Sequence, residues 1–214
     1  MMLARELTKA RDRKTKEDAR LVNRLLDLGN VPLKFRSCTA DQIPDRCGYK
    51  RVIEEWMENI KHHVDSGDWL LMNGPVGTGK TGAAAIILKE VLLHDGSAFM
   101  LTQNELVDYK FNSDHVPFGQ YSLDEVVRDS NMLLLDDVGS SRNKEHVVEL
   151  MEWVATTRYN NDRSLIITTN LDPEKAEIKE FLTLKVLSMA MEKALFVSVD
   201  KYDWRKALRD EKED

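Results

Sequence analysis

An apolar stretch, Trp69–Met72, runs into Gly74-Pro75-Val76-Gly77-Thr78-Gly79-Lys80-Thr81-Gly82 and then into a segment of helical character that reaches His94. The pattern G-x-x-x-x-G-K-[ST] sits in the strand, loop and helix context that it requires, and nothing else in the chain constrains the fold as strongly. Its glycines let the backbone curl so that N–H groups point inward at phosphate oxygens, and the following helix adds the positive end of its dipole. Lys80 is expected to reach the β and γ phosphates of ATP, and the Thr81 hydroxyl to hold Mg²⁺.

Around this loop, strand-like and helix-like segments alternate. Further strands are expected at Ala98–Thr102, Met132–Asp136, Ser164–Thr168 and Leu195–Val199. Helices are expected at Asn104–Tyr109, Ser122–Arg128, Lys144–Tyr159 and Pro173–Ala190. Apolar strands separated by helices imply a five-stranded parallel sheet covered on both faces, an α/β fold. Upstream, Tyr49, Ile53, Trp56, Ile60 and Val64 recur at steps of three and four and close at Gly67, which reads as one amphipathic helix packed on the main domain. Leu21, Val22, Leu25 and Leu26 make a shorter stripe in a helix over residues 15–28, with Gly29 at the C-cap.

Two further strand ends carry candidate chemistry. Leu133-Leu134-Leu135 ends in Asp136 and Asp137, and ligands of a parallel sheet collect at the carboxyl ends of strands. Asp136 is the expected partner of Mg²⁺, acting through water. Asp137 would orient the attacking water as a general base or hydrogen-bond acceptor, the alternative being a cap or turn residue. Ser164–Thr169 ends in Asn170, which would bond the nucleophilic water or the γ-phosphate, or else simply start a turn. Arg205 follows the last strand, where a cation can return to the γ-phosphate.

Composition closes several alternatives. The chain has 214 residues, enough for one well-buried domain with a short appendage, and 42% hydrophobic with 32% charged residues describes a globular protein. No apolar run approaches the roughly 18 residues of a membrane span, so no membrane partner is expected. Two cysteines, Cys38 and Cys47, lack ligand-like spacing, and a charged start argues against a signal peptide, so a cytoplasmic setting is expected. A net charge of −6 confines any nucleic-acid contact to a local patch, although residues 1–20 carry seven Lys/Arg against four Asp/Glu. Neither the Asn-Lys-x-Asp guanine pattern nor a Leu-Ser-Gly-Gly-Gln signature occurs, against GTPase and transporter readings.

Together these residues resemble the AAA+ helicase loaders of bacteria and their phages, the DnaC/DnaI type, and the related transposition ATPases of the IstB type. The resemblance covers Val31 to Lys206 and rests on Val31-Pro32-Leu33-Lys34-Phe35-Arg36, Gly74–Thr81, Leu133–Gly139, Arg158-Tyr159, Ile166–Leu171 and Asp203-Trp204-Arg205. It implies an AAA+ P-loop NTPase with a reduced or absent C-terminal lid, with Asn170 as sensor 1 and Arg205 as sensor 2. It also implies an ATPase that loads a hexameric replicative helicase onto single-stranded DNA, forming a homo-oligomer on helicase or DNA. The alternatives are a transposition helper acting on duplex DNA and a nucleotide-switch adaptor.

The family's arginine finger has no counterpart in Leu184-Lys185-Val186-Leu187-Ser188-Met189, where Ser188 takes its position and Lys185 is the nearest cation. Slow hydrolysis is therefore expected, with Arg142 or Arg158 as the next sources of a cation. By the same resemblance, single-strand contacts fall on Tyr109, Lys110, Phe111, Arg142 and Lys144, the aromatics stacking on bases and the cations tracking phosphate. The expected organisation is a helicase-docking arm over 1–45, the ATPase domain over 46–206 and an acidic tail over 207–214.

Overall fold

The computed structural model describes residues 19–111, 121–140, 144–172, 178 and 181–199. Its five strands, β1 (Trp69–Asn73), β2 (Ala98–Thr102), β3 (Met132–Val138), β4 (Ser164–Thr169) and β5 (Ala194–Ser198), form one sheet in the order β2-β3-β4-β1-β5. Every pairing is parallel. Successive side chains of a strand point to opposite faces, and here both faces are covered. Leu70, Met72, Leu134 and Ile166 join one core. Trp69, Leu71, Leu133, Leu135, Leu165 and Ile167 join the other. That double burial is why the strands read as unbroken apolar runs.

The first core is closed by α5 (Lys80–Leu93), in which nine residues are buried, together with α3 (Lys50–Glu58) and α4 (Ile60–Ser66). The second is closed by α6 (Gln103–Phe111), α7 (Leu123–Asp129), α8 (Lys144–Asn160) and α9 (Leu184–Lys193). Ser122 caps α7 through a reciprocal pair with Glu125, the local signal for a helix start.

Two expectations are corrected. The helix expected from Tyr49 to Val64 is two helices, broken at Asn59 (φ −111°, ψ 23°), whose Nδ2 bonds the Glu55 carbonyl at 3.1 Å. A periodic apolar stripe survives such a break, because Ile53, Trp56 and Ile60 all stay in the core. The helix expected over Pro173–Ala190 is not continuous: residues 181–183 are non-helical and a helix starts at Leu184, where the Thr183 hydroxyl accepts from the Val186 N–H, while residues 173–177 lie outside the described residues.

Part of the arm expected over 1–45 is described as well. A helix runs through residues 19–28 (α1), and Leu26 is buried in the same core as Val31, Ile43 and Cys47, with Val22 packed beside it. Beyond α1, the Gly29 carbonyl accepts from Met100 N at 2.9 Å and Asn30 Nδ2 donates to Met100 O at 2.9 Å, covering the outer edge of β2. A Cβ at Gly29 would lie 2.9 Å from Ala98 O and from Leu92 Cδ1. Residues 19–45 are thus packed on the domain, while Leu21 remains 58% exposed. A turn of helix at Leu33–Arg36 (α2) is tied to α5 by Lys89 Nζ, which donates to the carbonyls of Arg36 and Cys38. No helix among the described residues is long and apolar enough to cross a membrane. The acidic 207–214 segment and any lid beyond residue 199 lie outside the described residues.

Candidate nucleotide site

At the carboxyl end of β1 the loop turns through Gly74, Gly77 and Gly79, whose φ values are 150°, 90° and 88°. Gly74 has no tolerance for a side chain, since a Cβ there would collide with the carbonyl oxygen of Val199. The loop is held from within and from without. Thr78 Oγ1 donates to Pro75 O at 2.9 Å, and the buried phenol of Tyr49 donates to Thr78 O at 3.1 Å. No side chain caps the N-terminus of α5, so its first-turn N–H groups face the loop's concavity, where a phosphate is favoured.

Lys80 is nearly buried and its Nζ donates to Gly74 O and Pro75 O, each at 2.8 Å, and to Asn170 Oδ1 at 3.0 Å. Asn170 in turn donates through Nδ2 to Asp137 Oδ1 at 2.7 Å. One exposed amide thus bridges the loop lysine and the second acid. Thr81 Oγ1 donates to Asp136 Oδ1 at 2.7 Å, joining the start of α5 to the first acid.

The two acids sit on an irregularity of β3. Pairing with β4 slips between Leu135 and Val138, so one extra residue of β3 opposes β4. Asp137 absorbs the slip in a left-handed conformation, φ 57°. Burial pushes the Asp136 carboxyl up from its ordinary pKa; the Thr168 and Thr81 hydroxyls pull it back, Asp137 adds to the rise, and the charge of Lys34 opposes it. A buried carboxylate beside a hydroxyl, both hard oxygen donors, suits Mg²⁺. Among the described residues no cluster of three or more His, Cys, Asp or Glu forms a metal cage, and an ion that keeps water and substrate oxygens for most of its shell needs none.

The structure therefore brings together the residues from Gly74 to Gly82 with Asp136, Asp137 and Asn170. Arg205 and Arg142 lie outside the described residues, as does the side chain of Lys144. Of the other expected DNA contacts, Tyr109 packs partly into the core. Lys110 pairs with Asp124 at 3.1 Å and lies 4.1 Å from the Trp153 ring centroid, while Phe111 is half exposed against His146 at 4.9 Å.

Arg158 is no source of a cation for the nucleotide. Its guanidinium is fully buried at the amino ends of β3 and β4, donating to the carbonyls of Val127, Ser130, Asn131 and Ser164 and to Ser130 Oγ. Desolvation brings its pKa down to about 9, with Arg163 nearby adding to the shift, and it stays charged at neutral pH. Lys185 is engaged by Glu152 at 2.9 Å.

Sequence reasoning missed two contributors. Thr168 was legible only as a polar residue ending an apolar strand. Tyr49 was legible as one member of a helical stripe, and its hydroxyl contact with the loop is purely tertiary.

No protein-family model matches the chain. Among solved structures it is similar to the DnaC helicase loader, with TM-score 0.65 and 24% identity over 79% of this chain and 100% of that one. A DnaI structure matches with TM-score 0.63 and 16% identity over 81% and 93% of the two chains. The replication initiator DnaA bound to AMPPCP and single-stranded DNA matches with TM-score 0.62 and 17% identity over 86% of this chain and 56% of that one. These likenesses, with the sheet order and the loop described above, establish the α/β fold of AAA+ P-loop NTPases.

Proposed function

We propose that this chain is an ATPase of the helicase-loader kind, one that binds ATP with Mg²⁺ and delivers a hexameric replicative helicase to single-stranded DNA. The observation that carries the nucleotide part is the connected line from Lys80 through Asn170 to Asp137, beside the Thr81–Asp136 pair. The loop N–H groups and the start of α5 hold the phosphates. Lys80 exchanges its carbonyl partners and Asn170 for phosphate oxygens. Asp137 accepts the proton of the attacking water, and Asn170 orients that carboxylate through its amide. Thr81 and Asp136 hold Mg²⁺, which when bound neutralises charge on the phosphates.

The helicase part rests on likeness to proteins whose names carry that role, the DnaC helicase loader above all. Single-stranded DNA appears with the DnaA relative. One observation favours a second reading, a switch with little turnover. Residues 184–193 of α9 contain no arginine, and Lys185 is held by Glu152.

The test is retention of purified replicative helicases on the immobilised protein with ATP, ADP or no nucleotide. ATP-dependent capture of a hexameric helicase is the expected result. Failure of every helicase, with nucleotide binding intact, removes the loader reading, and filaments on duplex DNA would replace it with the transposition helper.

A further inference from the structure

We propose that Thr168 is a positioning residue of the nucleotide site, whose single hydroxyl sets the first acid for the metal and the second for water. The inference rests on the reading of Asp136 and Asp137 given above. Where β3 carries its extra residue, Thr168 of β4 faces the slip, and the Asp137 N–H donates to Thr168 Oγ1 at 3.0 Å. A hydroxyl has one proton to give. With Asp137 N–H occupying its acceptor side, that proton goes to Asp136 Oδ1, 2.6 Å away.

The geometry has two consequences. Thr81 and Thr168 converge on Oδ1 of Asp136, and no hydrogen bond among the described residues reaches Oδ2, which is left to face the metal's hydration shell. The backbone of Asp137 is held in its left-handed turn by the same oxygen, so the direction of the second carboxylate depends on the side chain that anchors the first. The adjacent threonine is an internal contrast. Thr169 is equally buried, yet its hydroxyl donates to Val138 O at 2.6 Å and accepts from Leu171 N at 3.1 Å, touching backbone alone.

The experiment measures affinity for a fluorescent ATP analogue across a Mg²⁺ series and in EDTA, with full-length wild type, Thr168→Val, Thr168→Ser and Thr169→Val. Thr168→Cys, similar in size with a weak donor, is carried in parallel so that one folded variant suffices. Loss of the hydroxyl is expected to raise the Mg²⁺ needed for half-maximal binding by about 10–100-fold, the usual effect of removing a group that orients a metal ligand. Affinity in EDTA stays at the wild-type value, Thr168→Ser restores the Mg²⁺ demand, and Thr169→Val shifts thermal stability alone. A folded Thr168→Val or Thr168→Cys with wild-type Mg²⁺ demand overturns the proposal, as does failure of Thr168→Ser to restore it. A wild type that binds no nucleotide under any condition overturns the reading of the site itself.

Discussion

Lys80 and Asn170, 90 positions apart in sequence, are joined by a 3.0 Å hydrogen bond from Nζ to Oδ1. A phosphate that draws Lys80 away must break this bond, which frees the Asn170 amide. Asn170→Ala is therefore expected to leave ATP affinity at or slightly above the wild-type level, while turnover falls about 10²-fold, as for loss of one preorganised donor. Lys80→Ala should instead abolish binding. Fluorescent-analogue titration and single-turnover hydrolysis separate the two, and a weakened Asn170→Ala affinity with normal turnover would contradict the assignment.

Asp136 carries a cost that the metal is expected to relieve. Its carboxyl is raised from the ordinary 3.8, chiefly by burial. For an acid raised on folding, the ionised form is the disfavoured one, so the cost is present above the folded pKa and disappears as pH falls through it. Asp136→Asn keeps an oxygen for Thr81 and Thr168 and should raise Tm near neutral pH, by about 2–4 °C for each 1 kcal/mol relieved. The gap should close on acidification. Thermal melts without nucleotide or Mg²⁺ check both the sign and the trend.

Arg158 belongs to the fold. Removing its guanidinium takes a donor from the buried carbonyls of Ser130 and Ser164, at about 1–3 kcal/mol for each group left unsatisfied, while the Asn131 carbonyl keeps the N–H of Ser164. Arg158→Met should destabilise the protein by several kcal/mol in urea melts. ATP turnover per folded molecule should be unchanged, the reverse of what loss of a catalytic cation would give.

Leu26 and Leu21 divide the α1 stripe between two roles. Leu26 lies in the core and Leu21 is largely exposed, so Leu26→Ala should cost about 2–5 kcal/mol, whereas Leu21→Ala stays within about 0.5 kcal/mol. If the exposed part of the stripe docks a helicase, Leu21→Ser weakens capture in the retention assay with no change in Tm. A strong stability loss at Leu21 would assign it to the core as well.

Much of the architecture was legible because its signals are local. Strands buried on both faces announce themselves as continuous apolar runs, and β2 begins and ends where the sequence indicates. The loop from Gly74 to Thr81 was legible because phosphate binding by backbone requires glycines at fixed positions. Asp136 followed from the rule for strand ends. What escaped depends on contacts distant in sequence. The break at Asn59 leaves the stripe's periodicity intact, and Leu26 looks the same in sequence whether its cover is the domain's own core or a partner. Arg158 is charged and therefore reads as surface, although five acceptors from three segments surround it. Thr168 acquires its place only when β3 slips by one residue against β4.

That slip narrows what evolution can do at position 137. A backbone at φ 57° is comfortable for glycine and accessible to asparagine and aspartate, whose short polar side chains tolerate the left-handed region, while longer or branched residues are penalised there. Among the substitutes that the backbone accepts, glycine removes the side chain and asparagine removes the charge. Glutamate would keep the charge and oppose the turn. Aspartate satisfies the conformation and the chemistry together at the least cost, so while this bulge is retained an exchange to glutamate carries a backbone cost of about 1–2 kcal/mol, which a second change that straightens β3 would remove.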